Sequence, residues 1–101
     1  MTRARLLEHL AALVACDTQN PPREIAADSA IFDYVRSVLP DDFEIDVIDH
    51  GAGHVTLFAH RGRPTVLFNC HLDTVPAGDG WSVPPLALTV NDGKAYGRGT
   101  C

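Results

Sequence analysis

The stretch Val66-Leu67-Phe68-Asn69-Cys70-His71-Leu72-Asp73-Thr74-Val75-Pro76 decides how the chain is read, because an apolar run gives way abruptly to a histidine and an aspartate two residues apart. Unbroken apolar residues from Val66 to Phe68 predict a strand over 65 to 70 that is covered on both faces and more central than its neighbours. The polar pair at its carboxyl end falls where open α/β sheets place their ligands. Cys70 and His71 would project to opposite sides of such a strand, which argues against a Cys-His nucleophilic pair. His71 and Asp73 would project to the same side if extension persists past the strand end.

Toward the amino terminus, His60-Arg61-Gly62-Arg63-Pro64 forms the turn into this strand. Before it, Phe43, Ile45 and Val47 alternate with Glu44, Asp46 and Ile48, and Val55, Leu57 and Ala59 alternate again across Gly51-Ala52-Gly53, a pattern that predicts a half-exposed β-hairpin. Ile31, Val35 and Val38, with Ile25, Phe32 and Leu39 widening the stripe, predict a helix over 24 to 39 that ends against Pro40. Leu6, Leu10, Leu13 and Val14, with Leu7 alongside, predict an amphipathic helix over 3 to 16 whose apolar face is core, with Thr2 as its cap. Asp17-Thr18-Gln19-Asn20-Pro21-Pro22 stops that helix in a stiff loop, since proline disfavours the α conformation at the residue before it. Toward the carboxyl terminus, a loop containing Pro76, Gly78, Gly80, Pro84 and Pro85 leads to Leu86, Leu88 and Val90. Asn91-Asp92-Gly93 then signals a turn that returns through Ala95-Tyr96.

The length of 101 residues allows one domain and is short for an α/β enzyme, whose sheet needs helices on both faces. Only two helices are available for at least three strands, and the glycine-rich end at Gly97-Arg98-Gly99-Thr100-Cys101 leads to no element; a truncated domain accounts for this better than a complete one. Thirteen acids against eight bases give a net charge of −5, which argues against a nucleic-acid partner. No apolar run has the length to span a bilayer, and Glu8 and His9 interrupt Leu6 to Val14, so neither a membrane segment nor a signal peptide is expected. Three cysteines, Cys16, Cys70 and Cys101, show no CxxC spacing, which fits a reducing cytoplasm and small buried hydrophobes rather than a disulfide framework.

Imidazole suits zinc, and a ligating histidine commonly passes its other ring N–H to a carboxylate that fixes its tautomer. His71 and Asp73 suit those two roles. The same spacing also suits a structural histidine at a strand end, and two residues do not complete a tetrahedral site. His9, His50, His54 and His60 lack a supporting pattern and read as surface or structural; Asp79, Asp92 and Glu24 sit where acids serve turns and helix starts.

His71-Leu72-Asp73-Thr74-Val75-Pro76, then Gly78-Asp79-Gly80-Trp81, Pro85, Asp92-Gly93-Lys94-Ala95-Tyr96 and Gly97-Arg98-Gly99-Thr100-Cys101, together with the loop Asp17 to Pro22, resemble the amino-terminal part of the M20 family of metallopeptidases and deacylases. The resemblance implies an α/β fold, the amino-terminal part of a three-layer α/β/α mixed-sheet catalytic domain of the zinc-exopeptidase kind, without the lid domain used for dimerisation. It implies a further strand between those at 54 to 59 and 65 to 70. It also implies a centre of two zinc ions, with cobalt tolerated, in which His71 binds one metal and Asp73 orients it. The turn at Gly97 and Gly99 would lead to a bridging aspartate directly after Cys101, and adjacent glutamates would follow. With His71 and Asp73 alone, the chain is expected neither to hold two metals nor to catalyse. Trp81 would lie in the loop beside the site, where packing competes with substrate contact as its role.

Within the family, the two motifs look most like acetylornithine deacetylases of arginine biosynthesis, acting on a small N-acyl amino acid in a cytoplasmic homodimer. Succinyl-diaminopimelate desuccinylases, aminoacylases and carboxypeptidases of the family share the metal motif and stay open. So does a different class, an autonomous noncatalytic binding or interaction domain.

Overall fold

Each end of the first helix is written in its local sequence. The computed structural model describes residues 1–21 and 25–100, which group into two compact units: Met1–Pro22 with Asp73–Cys101, and Arg23–Leu72. In the first unit, α1 spans Arg3–Ala15, and Thr2 in extended conformation caps it, its side-chain oxygen accepting from the Arg5 amide at 3.2 Å. The apolar stripe is less buried than its period suggests. Val14 is buried, but Leu6 is exposed. At the C-terminal end the Cys16 thiol donates to the Ala12 carbonyl at 3.4 Å, and partial burial pushes its pKa up by disfavouring the thiolate.

The same unit contains a short antiparallel hairpin, β3 over Thr89–Asn91 and β4 over Lys94–Tyr96, with Asn91 opposite Lys94. Its two-residue turn puts Asp92 at φ 48° and Gly93 at φ 74°, the left-handed pair that a primed hairpin turn requires. Immediately after β4, Gly97 is buried against α1: a Cβ built there would lie 2.9 Å from Val14 Cγ1. Only a residue without a side chain lets the backbone come this close.

In the second unit, α2 spans Ala30–Val38, with Ile31 and Phe32 buried. The predicted helix over 24 to 39 is thus shortened at its start; residue 24 lies outside the described residues, and 25–29 are not helical. Asp28 and Ser29 account for the late start, since short polar side chains compete for backbone hydrogen bonds and favour turns and caps over helix interiors. The Ser29 amide bonds back to the Ala26 carbonyl at 3.0 Å, and Ser29 stands at the cap position with extended φ and ψ.

β1 over Glu44–Asp49 and β2 over Val55–His60 then pair antiparallel, from Glu44 opposite His60 to Asp49 opposite Val55. Ile45, Val47, Leu57 and Ala59 share the half-buried face, while Asp46, Ile48, Thr56 and Phe58 share the exposed one. At the closed end the His50 amide donates to the His54 carbonyl at 2.8 Å, and His50 Nε2 lies 3.0 Å from Thr56 Oγ1, a structural role for this histidine. At the open end Arg61 lies 3.4 Å from Asp42 and stacks over Phe43.

The strand predicted over 65 to 70 does not form among the described residues. Val66, Leu67 and Phe68 are 66%, 74% and 91% exposed, and residues 66–70 make no backbone hydrogen bond there. A strand is fixed by its ladder, and apolar composition alone supplies no donor or acceptor for one. The expected burial of Cys70 is overturned with it, because Cys70 is exposed; Cys101 lies outside the described residues. The described residues therefore mix two helices with two antiparallel hairpins. No helix among them is long and apolar enough to cross a membrane.

Candidate functional site

Asp73 opens a segment held by hydrogen bonds to the loop after α1. The Thr74 amide donates to the Thr18 carbonyl at 3.0 Å and the Asn20 amide donates to the Thr74 carbonyl at 2.8 Å, so that Gln19 and Thr74 form a parallel bridge. Side chains repeat the attachment. Gln19 Oε1 accepts from the Ala77 amide at 2.7 Å, Gln19 Nε2 donates to Asp17 Oδ1 at 3.1 Å, and Asn20 Nδ2 donates to Asp73 Oδ2 at 3.3 Å. Thr18 itself is buried.

The segment is also held from the carboxyl end. A Cβ on Gly99 would stand 3.0 Å from Thr74 Cγ2, and Gly99 has φ +92°, so its lack of a side chain serves both the turn and the approach to Thr74. The Arg98 amide donates to the Pro85 carbonyl at 2.7 Å. Its guanidinium donates to the Ala77 carbonyl at 3.3 Å and lies over the Trp81 ring, 5.1 Å from its centroid. Trp81 Nε1 donates to the same carbonyl at 2.8 Å. Trp81 is thereby engaged in packing and hydrogen bonding within the loop, in accord with the packing alternative. Thr100 Oγ1 closes the last turn on the Gly97 carbonyl at 3.0 Å.

His71 ends the exposed run of the other unit and is itself exposed. By donor chemistry alone, the His71 imidazole and the Asp73 carboxylate, which accepts from Asn20, are each side chains of the kind that serve divalent-metal sites. They do not make a complete centre. Among the described residues no three His, Cys, Asp or Glu side chains are grouped to hold a metal ion. The sequence marks 17 to 22 as a stiff loop and, with Thr74, as part of the family motifs, but assigns no role to Gln19, Asn20 or Thr74; partners 53 and 58 residues away in the chain leave no periodic signal.

The family model described as peptidase family M20/M25/M40 matches residues 67–101. The chain belongs to the M20 family. Across 98 residues it is 52% identical to the N-acetyl-L-citrulline deacetylase of Xanthomonas campestris pv. campestris, an alignment that covers 97% of this chain and 26% of that protein. It is 42% identical over 95 residues to the succinyl-diaminopimelate desuccinylase of Roseobacter denitrificans, covering 87% of this chain and 23% of that protein. A desuccinylase of the same name from Dechloromonas aromatica is 35% identical over 99 residues, covering 93% of this chain and 25% of that protein. The chain thus spans about a quarter of the length of these M20 relatives. Both His71 and Asp73 lie inside the stretch that matches the M20 model, whereas Asn20 and Gln19 lie outside it.

Proposed function

We propose that this chain is the part of an M20 hydrolase that contributes His71 as a metal ligand and Asp73 as the carboxylate orienting it, in a whole protein that cleaves the amide bond of a small N-acyl amino acid. The observation that carries the proposal is the His71-Leu72-Asp73-Thr74-Val75-Pro76 segment, which lies within the family match, in a chain 52% identical to a deacetylase. Bound divalent metal supplies polarisation of an acyl carbonyl and acidification of water. In this reading His71 would hold the metal through one imidazole nitrogen, and Asp73 would fix its tautomer and orientation. Among the described residues no complete centre is grouped, and in this reading the chain works only as part of the whole protein.

The substrate we propose is an α-N-acetylated amino acid of the ornithine and citrulline type. Two lines support it: the likeness of both motifs to acetylornithine deacetylases, and the 52% identity to an N-acetyl-L-citrulline deacetylase. The reading includes zinc as the metal, with cobalt as a substitute, a three-layer α/β/α catalytic domain, and a cytoplasmic homodimer without nucleic-acid or membrane partners. The exposed run at 66 to 68 counts against a self-sufficient binding module. The test is a panel on the whole purified protein, supplied with zinc or cobalt: N-acetylornithine, N-acetylcitrulline and N-succinyl-diaminopimelate. Release of acetate from one of the first two, exceeding release of succinate, is the expected outcome; no hydrolysis of any of the three would overturn the assignment.

A further inference from the structure

The contact between Asn20 and Asp73 joins residues that are distant in sequence, and the surrounding backbone fixes its geometry. Asn20 cannot drift from Asp73, because its own amide donates to the carbonyl of the adjacent Thr74 at 2.8 Å, and the Thr74 amide returns a bond to Thr18 at 3.0 Å. A carboxylate only accepts hydrogen bonds, so the Asn20 carboxamide must present its NH2 to Asp73 Oδ2, 3.3 Å away. The bond is long for a charged acceptor and the pair is exposed, so it contributes little to folding stability. Its consequence is directional. It holds one carboxylate oxygen of Asp73.

We infer that Asn20 is a positioning residue for the metal centre: by holding Asp73 Oδ2 it fixes the carboxylate orientation on which the His71 ring depends, and so tunes metal affinity without touching the metal. The inference rests on the roles proposed above for His71 and Asp73. It also assigns a task to the Asp17 to Pro21 loop, which lies outside the stretch matched by the family model.

The test is a double-mutant cycle on zinc affinity, measured in the whole protein by competition with a chromophoric chelator. Asn20→Ala is expected to weaken zinc binding about tenfold, the lower end of the range for groups behind a ligating histidine. In an Asp73→Asn background Asn20→Ala is expected to cost less than about twofold, because the group it positions is already changed. Asn20→Ser, which keeps a small polar side chain, replaces Asn20→Ala if that variant does not accumulate in folded form.

An equal loss in both backgrounds would mean that Asn20 acts on the fold rather than through Asp73, and would overturn the inference. Unchanged affinity in Asn20→Ala, with zinc lost in His71→Ala, would overturn it while leaving the metal centre standing. Unchanged affinity in His71→Ala would remove the metal centre itself and the positioning role with it.

Discussion

Two segments of this chain meet at Leu72 and Asp73 and are held in opposite ways. Residues 66–70 are apolar and strand-forming in composition, yet they are exposed and make no backbone hydrogen bond among the described residues. Residues 73–77 have almost no regular structure, yet backbone and side-chain bonds reach them from Thr18, Gln19 and Asn20, and Gly99 is pressed against Thr74. Hydrophobicity marks where a segment wants to be, but its conformation is fixed by partners for its amides and carbonyls. An irregular segment with partners is therefore better held than a strand-like one without them.

Hydrogen exchange on the 101-residue chain offers the largest contrast. The amides of Asn20, Thr74, Ala77 and Arg98, each bonded in the structure, are expected to exchange far more slowly than those of Val66 to Cys70. Equal rates would erase the distinction between the two segments. Substitution gives the next effect: Gly97→Ala forces a Cβ to within 2.9 Å of Val14 Cγ1, and overpacking of this kind costs about 1–3 kcal/mol, read as a lower midpoint in thermal or urea unfolding. Phe68→Ser, at a side chain 91% exposed, is expected to change the stability of the same chain by less than about 0.5 kcal/mol and to improve its solubility. A large loss from Phe68→Ser would mean that the run is packed after all.

A smaller chemical difference separates the thiols. Cys70 is exposed, whereas partial burial raises the Cys16 pKa and lowers its thiolate fraction at neutral pH. Alkylation followed by mass spectrometry should find Cys70 labelled before Cys16. The Cys16 rate should gain on it only as pH rises through the alkaline range, where the suppressed thiolate appears.

What was legible in the sequence follows the same division. Both hairpins could be read, because Gly51-Ala52-Gly53 and Asp92-Gly93 place turn residues between alternating strands, and both turns adopt positive φ as such residues permit. Thr2 was legible as a cap because capping is local. The start of α2 was misplaced because the apolar period extends back to Ile25, while Asp28 and Ser29 favour a turn and a cap. The strand at 65 to 70 was predicted from burial on two faces, and nothing among the described residues supplies the neighbours that burial needs.

At the site, spacing alone left His71 and Asp73 between a metal role and a structural one. The family motifs tipped that balance. The contacts from Asn20 to Asp73 and from Gln19 to Ala77 link loops far apart in sequence, and single-chain periodicity has no means of pairing them. Gly97 was read as part of a turn; its approach to Val14, which forbids a side chain, follows from where α1 packs.

The most direct measurement is zinc binding by the whole protein in three forms: wild type, Asp73→Asn and His71→Ala. The account predicts that Asp73→Asn keeps its fold and binds zinc about 10–100-fold more weakly, and that His71→Ala loses more affinity still, together with most hydrolytic activity. Equal zinc affinity in all three forms would contradict it.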